Sequence, residues 1–108
     1  MKFVTIGYGS REDYERTPQT VRDEAHAHDQ RLRAAGVDMG MAGTPVQVRN
    51  PENTGRKVEE GAFLRADLPI AGFAIIEAES LDDAVAMVAN TPCAVAHGVV
   101  EVWPLEQR

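Results

Sequence analysis

Apolar and polar positions along the chain change period several times, and each change marks an element. Lys2 to Tyr8 alternates, with Val4, Ile6 and Tyr8 on one face and Phe3 and Thr5 on the other. That pattern predicts a strand covered at least in part on both sides. Gly9-Ser10 ends it, and Arg11 to Arg16 reads as a charged loop. Thr17-Pro18 offers a hydroxyl N-cap followed by proline at the first helical position. A helix is predicted from there to Ala35, closed by Gly36. Val21, Ala25, His28, Leu32 and Ala35 recur at helical spacing and form the stripe that turns toward a sheet. Arg22, His26, Asp29 and Arg33 fall to the side, toward water.

Val37 to Gly43 predicts a second strand with Met39 and Met41 on one face, and Gly40 and Gly43 leave room for a close backbone, a helix or a ligand. Thr44-Pro45 breaks it. Val46 to Arg49 and Arg56 to Phe63 read as the arms of a hairpin around the turn-rich Asn50 to Gly55. Ile70 to Ala78 is apolar almost throughout and predicts the central strand. The helix Leu81 to Ala89 follows, capped by Ser80, with Asp82 and Asp83 in its first turn, where the helix dipole favours acids. Leu81, Ala84, Val85 and Val88 make its buried stripe, and Asn90-Thr91-Pro92 closes it. Gly98 to Pro104 predicts the last strand, with Val100 and Val102 on one face and Val99, Glu101 and Trp103 on the other.

With the hairpin (about residues 44–63) set aside, the order is βαββαβ, a ferredoxin-like α+β plan in one domain spanning residues 1–108. Two helices cover only one face of such a sheet. The other face, carrying Phe3, Val99 and Trp103 or their opposites, is too apolar to leave in water, so a homodimer packed sheet to sheet is expected.

Composition removes several function classes. A net charge of −6 disfavours nucleic acid and anionic membrane surfaces as partners, since both need a basic face. No stretch approaches the roughly 18 apolar residues of a membrane span. Cys93 is the single cysteine, so no intrachain disulfide can form, and a cytoplasmic location is expected. Gly7-Tyr8-Gly9 lacks the third glycine and the following helix of a dinucleotide loop. The histidines at 26, 28 and 97 lack metal-ligand spacing, so no metal and no cofactor are expected.

The remaining chemistry is that of proton transfer. His28 lies on the sheet-facing stripe, where an imidazole serves either as an acid/base near neutral pH or as a core residue bonded to a carbonyl. His26 reads as solvated. Glu77 and Glu101 sit late in apolar strands, either as strand-end charges or as buried carboxylates and candidate bases. His97 is a further helper, and the only local base for Cys93, which otherwise reads as a small buried hydrophobe.

The opening MKFVTIGYG, the helix end Leu32 to Val37 (LRAAGV), the segment Leu68 to Pro92 (LPIAGFAIIEAESLDDAVAMVANTP) and the ending Gly98 to Glu106 (GVVEVWPLE) together resemble the YCII-related proteins of the DGPF type. The resemblance covers nearly the whole chain. It implies a dimeric α+β barrel and, in some relatives, dehalogenase or lyase-type steps on small ring compounds, although most members have no established activity. It also implies a histidine on the first long helix, sometimes paired with an aspartate near the end of the second. The chain departs from that pattern at three places. The signature tetrapeptide falls on Glu60-Gly61-Ala62-Phe63, of which only Gly and Phe fit; the histidine slot holds Ala25, flanked by His26 and His28; the aspartate slot before Pro92 holds Thr91. Two functions are therefore expected. One is a small-molecule enzyme using His28, with Glu77, Glu101 or His97, in a cleft between the first long helix and the sheet. The other is a non-catalytic dimer that binds a small molecule or a protein.

Overall fold

Strands form at Lys2–Tyr8 (β1), Asp38–Met41 (β2), Val46–Arg49 (β3), Lys57–Glu60 (β4), Ile70–Glu77 (β5) and Val99–Pro104 (β6) in the computed structural model, which describes residues 1–106. Helices form at Arg11–Arg16 (α1), Gln19–Ala34 (α2), Leu81–Val88 (α3) and Pro92–Val95 (α4). The fold is α+β. Its main sheet is antiparallel and four-stranded, in the order β2-β5-β1-β6, and β3 pairs only with β4 in a separate two-stranded sheet.

The expected closed barrel does not form. β2 and β6 stand at opposite edges of the main sheet and do not pair with each other. Four strands, one of them only four residues long, twist without curling far enough to meet. The β3–β4 hairpin does not fill the gap, because it bonds along its own ladder from Val46↔Glu60 to Arg49↔Lys57.

Alternation along the strands sorts the core. Phe3 is opposite Ile76 across the β1–β5 ladder, and both are fully buried beneath α3, where Ala84 and Val88 complete the core. Ala74, Val100, Val102 and Met87 pack around them. Phe3 thus belongs to the helix-covered face, opposite to Val99 and Trp103, which share the outer face with Val4, Ile6, Phe73 and Ile75. On that outer face Phe73, Ile75, Val99 and Trp103 are exposed.

Two helices lie where none was expected. The charged segment 11–16 is α1, not a loop: the Ser10 hydroxyl accepts from the Asp13 amide at 3.1 Å, and Glu12 and Asp13 occupy the first turn. Arg16 and Ser10 together hold the Asp13 carboxyl below its usual range. Thr17 does not cap α2. It closes α1, its buried hydroxyl donating to Asp13 O at 2.8 Å. α2 starts after Pro18 with no side-chain cap. After α3, Pro92 opens the one-turn α4, which packs against α2, β1 and β6. The turn between α4 and β6 puts His97 at φ 62° and brings Gly98 N to Cys93 O at 3.0 Å. No helix among the described residues is long and apolar enough to cross a membrane.

Candidate active site

A gap in the side chains of the helix-covered face sets the position of the site. Gly7 and Gly72 are direct partners across β1 and β5, so the sheet has no side chains there. Met41 on β2 and Val100 on β6 flank the bare patch. Gly72 is required by backbone, whereas a side chain on Gly7 would have to displace the Cys93 thiol. A Cβ on Gly7 would sit 2.9 Å from the Cys93 sulfur, and one on Gly72 would sit 2.7 Å from Gly40 O. α1 and α2 roof this floor, and α4 closes one end. The half-open cleft between them has a volume of about 590 Å³, within the usual range for small-molecule pockets.

Apolar groups make most of the wall: Leu32 from α2, Met39 and Met41 from β2, Ile76, Val88 and Val100. The polar groups come from β1 (Thr5), from Ser10 and Arg11 at the start of α1, from Thr91 before α4, and from three helices further in. α1 supplies Tyr14, α2 supplies His26, Asp29 and Arg33, and α4 supplies Cys93. Spacings of three and four residues put Arg22, His26, Asp29 and Arg33 on one side of α2. That side faces α1.

The Tyr14 hydroxyl and His26 Nε2 are hydrogen bonded at 2.6 Å, with their rings edge to face at 5.8 Å. The Arg22 guanidinium lies over the Tyr14 ring at 5.1 Å, a cation–π contact that fixes the phenol from behind. Deeper in, burial raises the Asp29 carboxyl above its usual range, against the opposing pull of Arg33, His26 and His28. Burial likewise pushes the Cys93 thiol up, with the Asp29 charge adding to it. Asp29 Oδ1 and Arg22 Nε are both buried and have no hydrogen-bond partner among the described residues.

The four residues singled out from sequence lie elsewhere. His28 faces the opposite side of α2, in a shallow groove of about 300 Å³ with Val21, Ala25 and Asn90. Its Nε2 is 2.6 Å from Met87 O and serves as the donor of that bond. Glu77 is exposed at the end of β5, opposite Lys2. Glu101 is on the outer face, accepting a 2.5 Å hydrogen bond from the Tyr8 hydroxyl, which pushes the Tyr8 phenol up. His97 is exposed in the turn before β6, close enough to Asp13 to help hold that carboxyl low. None of the four lines the cleft or meets another of the four.

Tyr14 and Asp29 were not singled out from the sequence; His26, read as solvated, is exposed but also lines the cleft. The signal for them was the polar stripe Arg22–His26–Asp29–Arg33, one ionisable group per turn on one side of a helix. Thr91 lines the cleft, so a carboxylate there would have faced it; Asp29 brings one to the same space from α2. A larger, open groove of about 910 Å³ between the hairpin and the sheet is lined by Val46, Val48, Phe63 and Phe73 and contains no histidine, cysteine or carboxylate. Among the described residues no three His, Cys, Asp or Glu side chains gather as a metal site would require.

The YCII-related domain model matches residues 1–107, nearly the full length. The chain belongs to the YCII-related family. No curated protein matches it.

Proposed function

We propose that the protein is a small-molecule enzyme that moves a proton on a compact, mainly apolar substrate, of the kind handled in lyase or dehalogenase chemistry on small rings. The proposal places the acid/base at His26 rather than at His28. The observation that carries it is the 2.6 Å bond between His26 Nε2 and the Tyr14 hydroxyl at the cleft. Histidine is the side chain suited to exchanging protons near neutral pH. A phenol bonded to Nε2 orients the ring and passes a proton to or from it. The glycine floor supplies the room, and the apolar walls suit a compact apolar substrate. A second part of the proposal is a homodimer formed through the outer sheet face, where Phe73, Ile75, Val99 and Trp103 stand exposed together.

The test is turnover across a panel of small cyclic compounds capable of elimination or isomerisation, measured for the native chain and for His26→Gln. A loss of about 10²–10⁴ in turnover with an unchanged circular dichroism spectrum is expected, the usual effect of deleting a general acid or base. Tyr14→Phe should lower turnover less. Equal turnover in His26→Gln would end the acid/base reading, and binding without any turnover would leave a small-molecule-binding module in its place.

A further inference from the structure

The charges lining the cleft run against those of the chain. The protein carries a net charge of −6. Its cleft is lined by two arginines, Arg11 and Arg33, and by one carboxylate, Asp29, so a single positive charge is in excess even with His26 neutral. Asp29 is half-buried and its Oδ1 is sealed off, so at most one of its oxygens faces a ligand. Most of the other polar groups are engaged within the protein. The Thr5 hydroxyl donates to Ala74 O, the Thr91 hydroxyl donates to Val88 O, and Tyr14 is bonded to His26. Arg11 Nε is 3.2 Å from Glu15 Oε1 in an exposed pair. Arg33 is the lining cation left over. Among the described residues the three salt bridges join Arg11 to Glu15, Arg16 to Asp13 and Arg49 to Glu59, and Arg33 enters none of them. Asp29, one turn back, attracts it only at longer range. An unpaired arginine on an open surface is ordinary. This one lines a largely apolar cavity in an acidic chain.

We propose that Arg33 anchors the ligand, and that the ligand carries one carboxylate on a small apolar body. This rests on reading the cleft as a small-molecule site. A guanidinium presents parallel N–H groups that match the two oxygens of a carboxylate. One positive charge in excess suits a monoanion. A dianion such as a phosphate ester would bring a second negative charge that the lining does not balance. The wall residues Leu32, Met39, Val88 and Val100 suit the apolar body. Arg33 is seven residues beyond His26 on α2, two turns or roughly 10 Å along the axis. The carboxylate thus fixes one end of the ligand at Arg33 and turns the other toward the His26–Tyr14 pair.

Benzoate and benzamide are nearly the same shape and differ in charge, and phenyl phosphate adds a second negative charge. Binding of each to the full chain is followed through the methyl NMR signals of Met39 and Met41, which line the cleft and also report whether the variants fold. At low ionic strength benzoate should bind at least about threefold more tightly than benzamide, the ordinary gain from an arginine–carboxylate pair open to solvent. Phenyl phosphate should bind no more tightly than benzoate. The preference for benzoate should shrink toward one in about 0.5 M salt, which screens the charges. Arg33→Gln should abolish it while leaving benzamide bound, and Arg33→Lys, which keeps the charge and loses the fork, should keep part of it. Equal affinities for benzoate and benzamide, a preference that survives in Arg33→Gln, or phenyl phosphate as the tightest ligand would each overturn the inference. If none of the three shifts the Met39 or Met41 signals, the small-molecule reading of the cleft falls too. If the benzoate preference holds while His26→Gln keeps full turnover, the anchoring role of Arg33 stands and only the acid/base assignment is lost.

Discussion

His28 connects two helices, and truncating it measures that connection. Its Nε2 is 2.6 Å from Met87 O. Met87 lies in the last turn of α3, where carbonyls run out of intrahelical donors; the Thr91 amide, which would otherwise serve it, goes to Val88 O. His28 therefore caps α3 from α2, across 59 positions in the chain. His28→Ala removes a net hydrogen bond of about 1 kcal/mol and leaves the carbonyl with fewer partners, a total of roughly 1–3 kcal/mol. His28 is only half-buried, so water partly replaces the ring and the loss should be about 1–2 kcal/mol. In a domain of this size each kcal/mol lowers the midpoint of thermal unfolding by roughly 4–8 °C. Urea titrations at one fixed protein concentration should show a lower midpoint with an unchanged slope. His28→Gln keeps an N–H that reaches the carbonyl and should recover about half of the loss. An Ala variant as stable as the native chain would refute the capping role. A stable Gln variant with turnover lost would return His28 to the active site.

Two further outcomes follow from the same geometry. A Cβ on Gly98 would lie 2.1 Å from Tyr8 O and 2.7 Å from Cys93 O, so Gly98→Ala should cost about 3 kcal/mol in urea titrations; Gly55→Ala, with open space around it, should stay within about 0.5 kcal/mol, and equal behaviour of the two would refute the reasoning. Equilibrium sedimentation at micromolar concentration should give about twice the chain mass, and Trp103→Ala should weaken association by about 2 kcal/mol; a monomer at that concentration would rule out an interface on the outer face.

Regular periodicity made most of the elements legible. The alternation in β1 and β6 and the apolar run of β5 mark strands, and Ser80 marks the start of α3. α1 was not legible, because Arg11–Arg16 buries no residue and so leaves no apolar period. That omission concealed the site. Without α1, the Arg22–His26–Asp29–Arg33 side of α2 has nothing to face and reads as solvated throughout; His26 and Arg33 are indeed exposed, while Arg22 and Asp29 are half-buried. The apolar stripe, by contrast, drew attention to His28, although only Ala25 on α2 is fully buried. A stripe shows which side of a helix is dry. It does not show that an imidazole on it is satisfied by a carbonyl from a helix 59 positions away. The cleft floor was half visible. Of the glycines noticed in the second strand, Gly40 does line the cleft and brings its carbonyl close to Gly72, but the bare floor is Gly7 with Gly72, whose partnership depends on a register that no local pattern reveals. The barrel was inferred from resemblance; the edge strands β2 and β6 do not pair with each other, and β3 pairs only with β4, so the sheet stays open.

The place of β1 between β5 and β6 has a consequence for synthesis. Phe3 pairs with Ile76 on one side and Pro104 on the other, so the first strand made borders the last across nearly the whole chain. While the polypeptide is emerging from the ribosome, the N-terminal strand has no neighbour, and the segments that follow it, α1 and α2, have no floor to pack on. Ordering β1 between its neighbours must wait until β5 and β6 have emerged, and closing such long loops slows the search. Until then the apolar residues of β1 and β5 are accessible to chaperones and to other nascent chains.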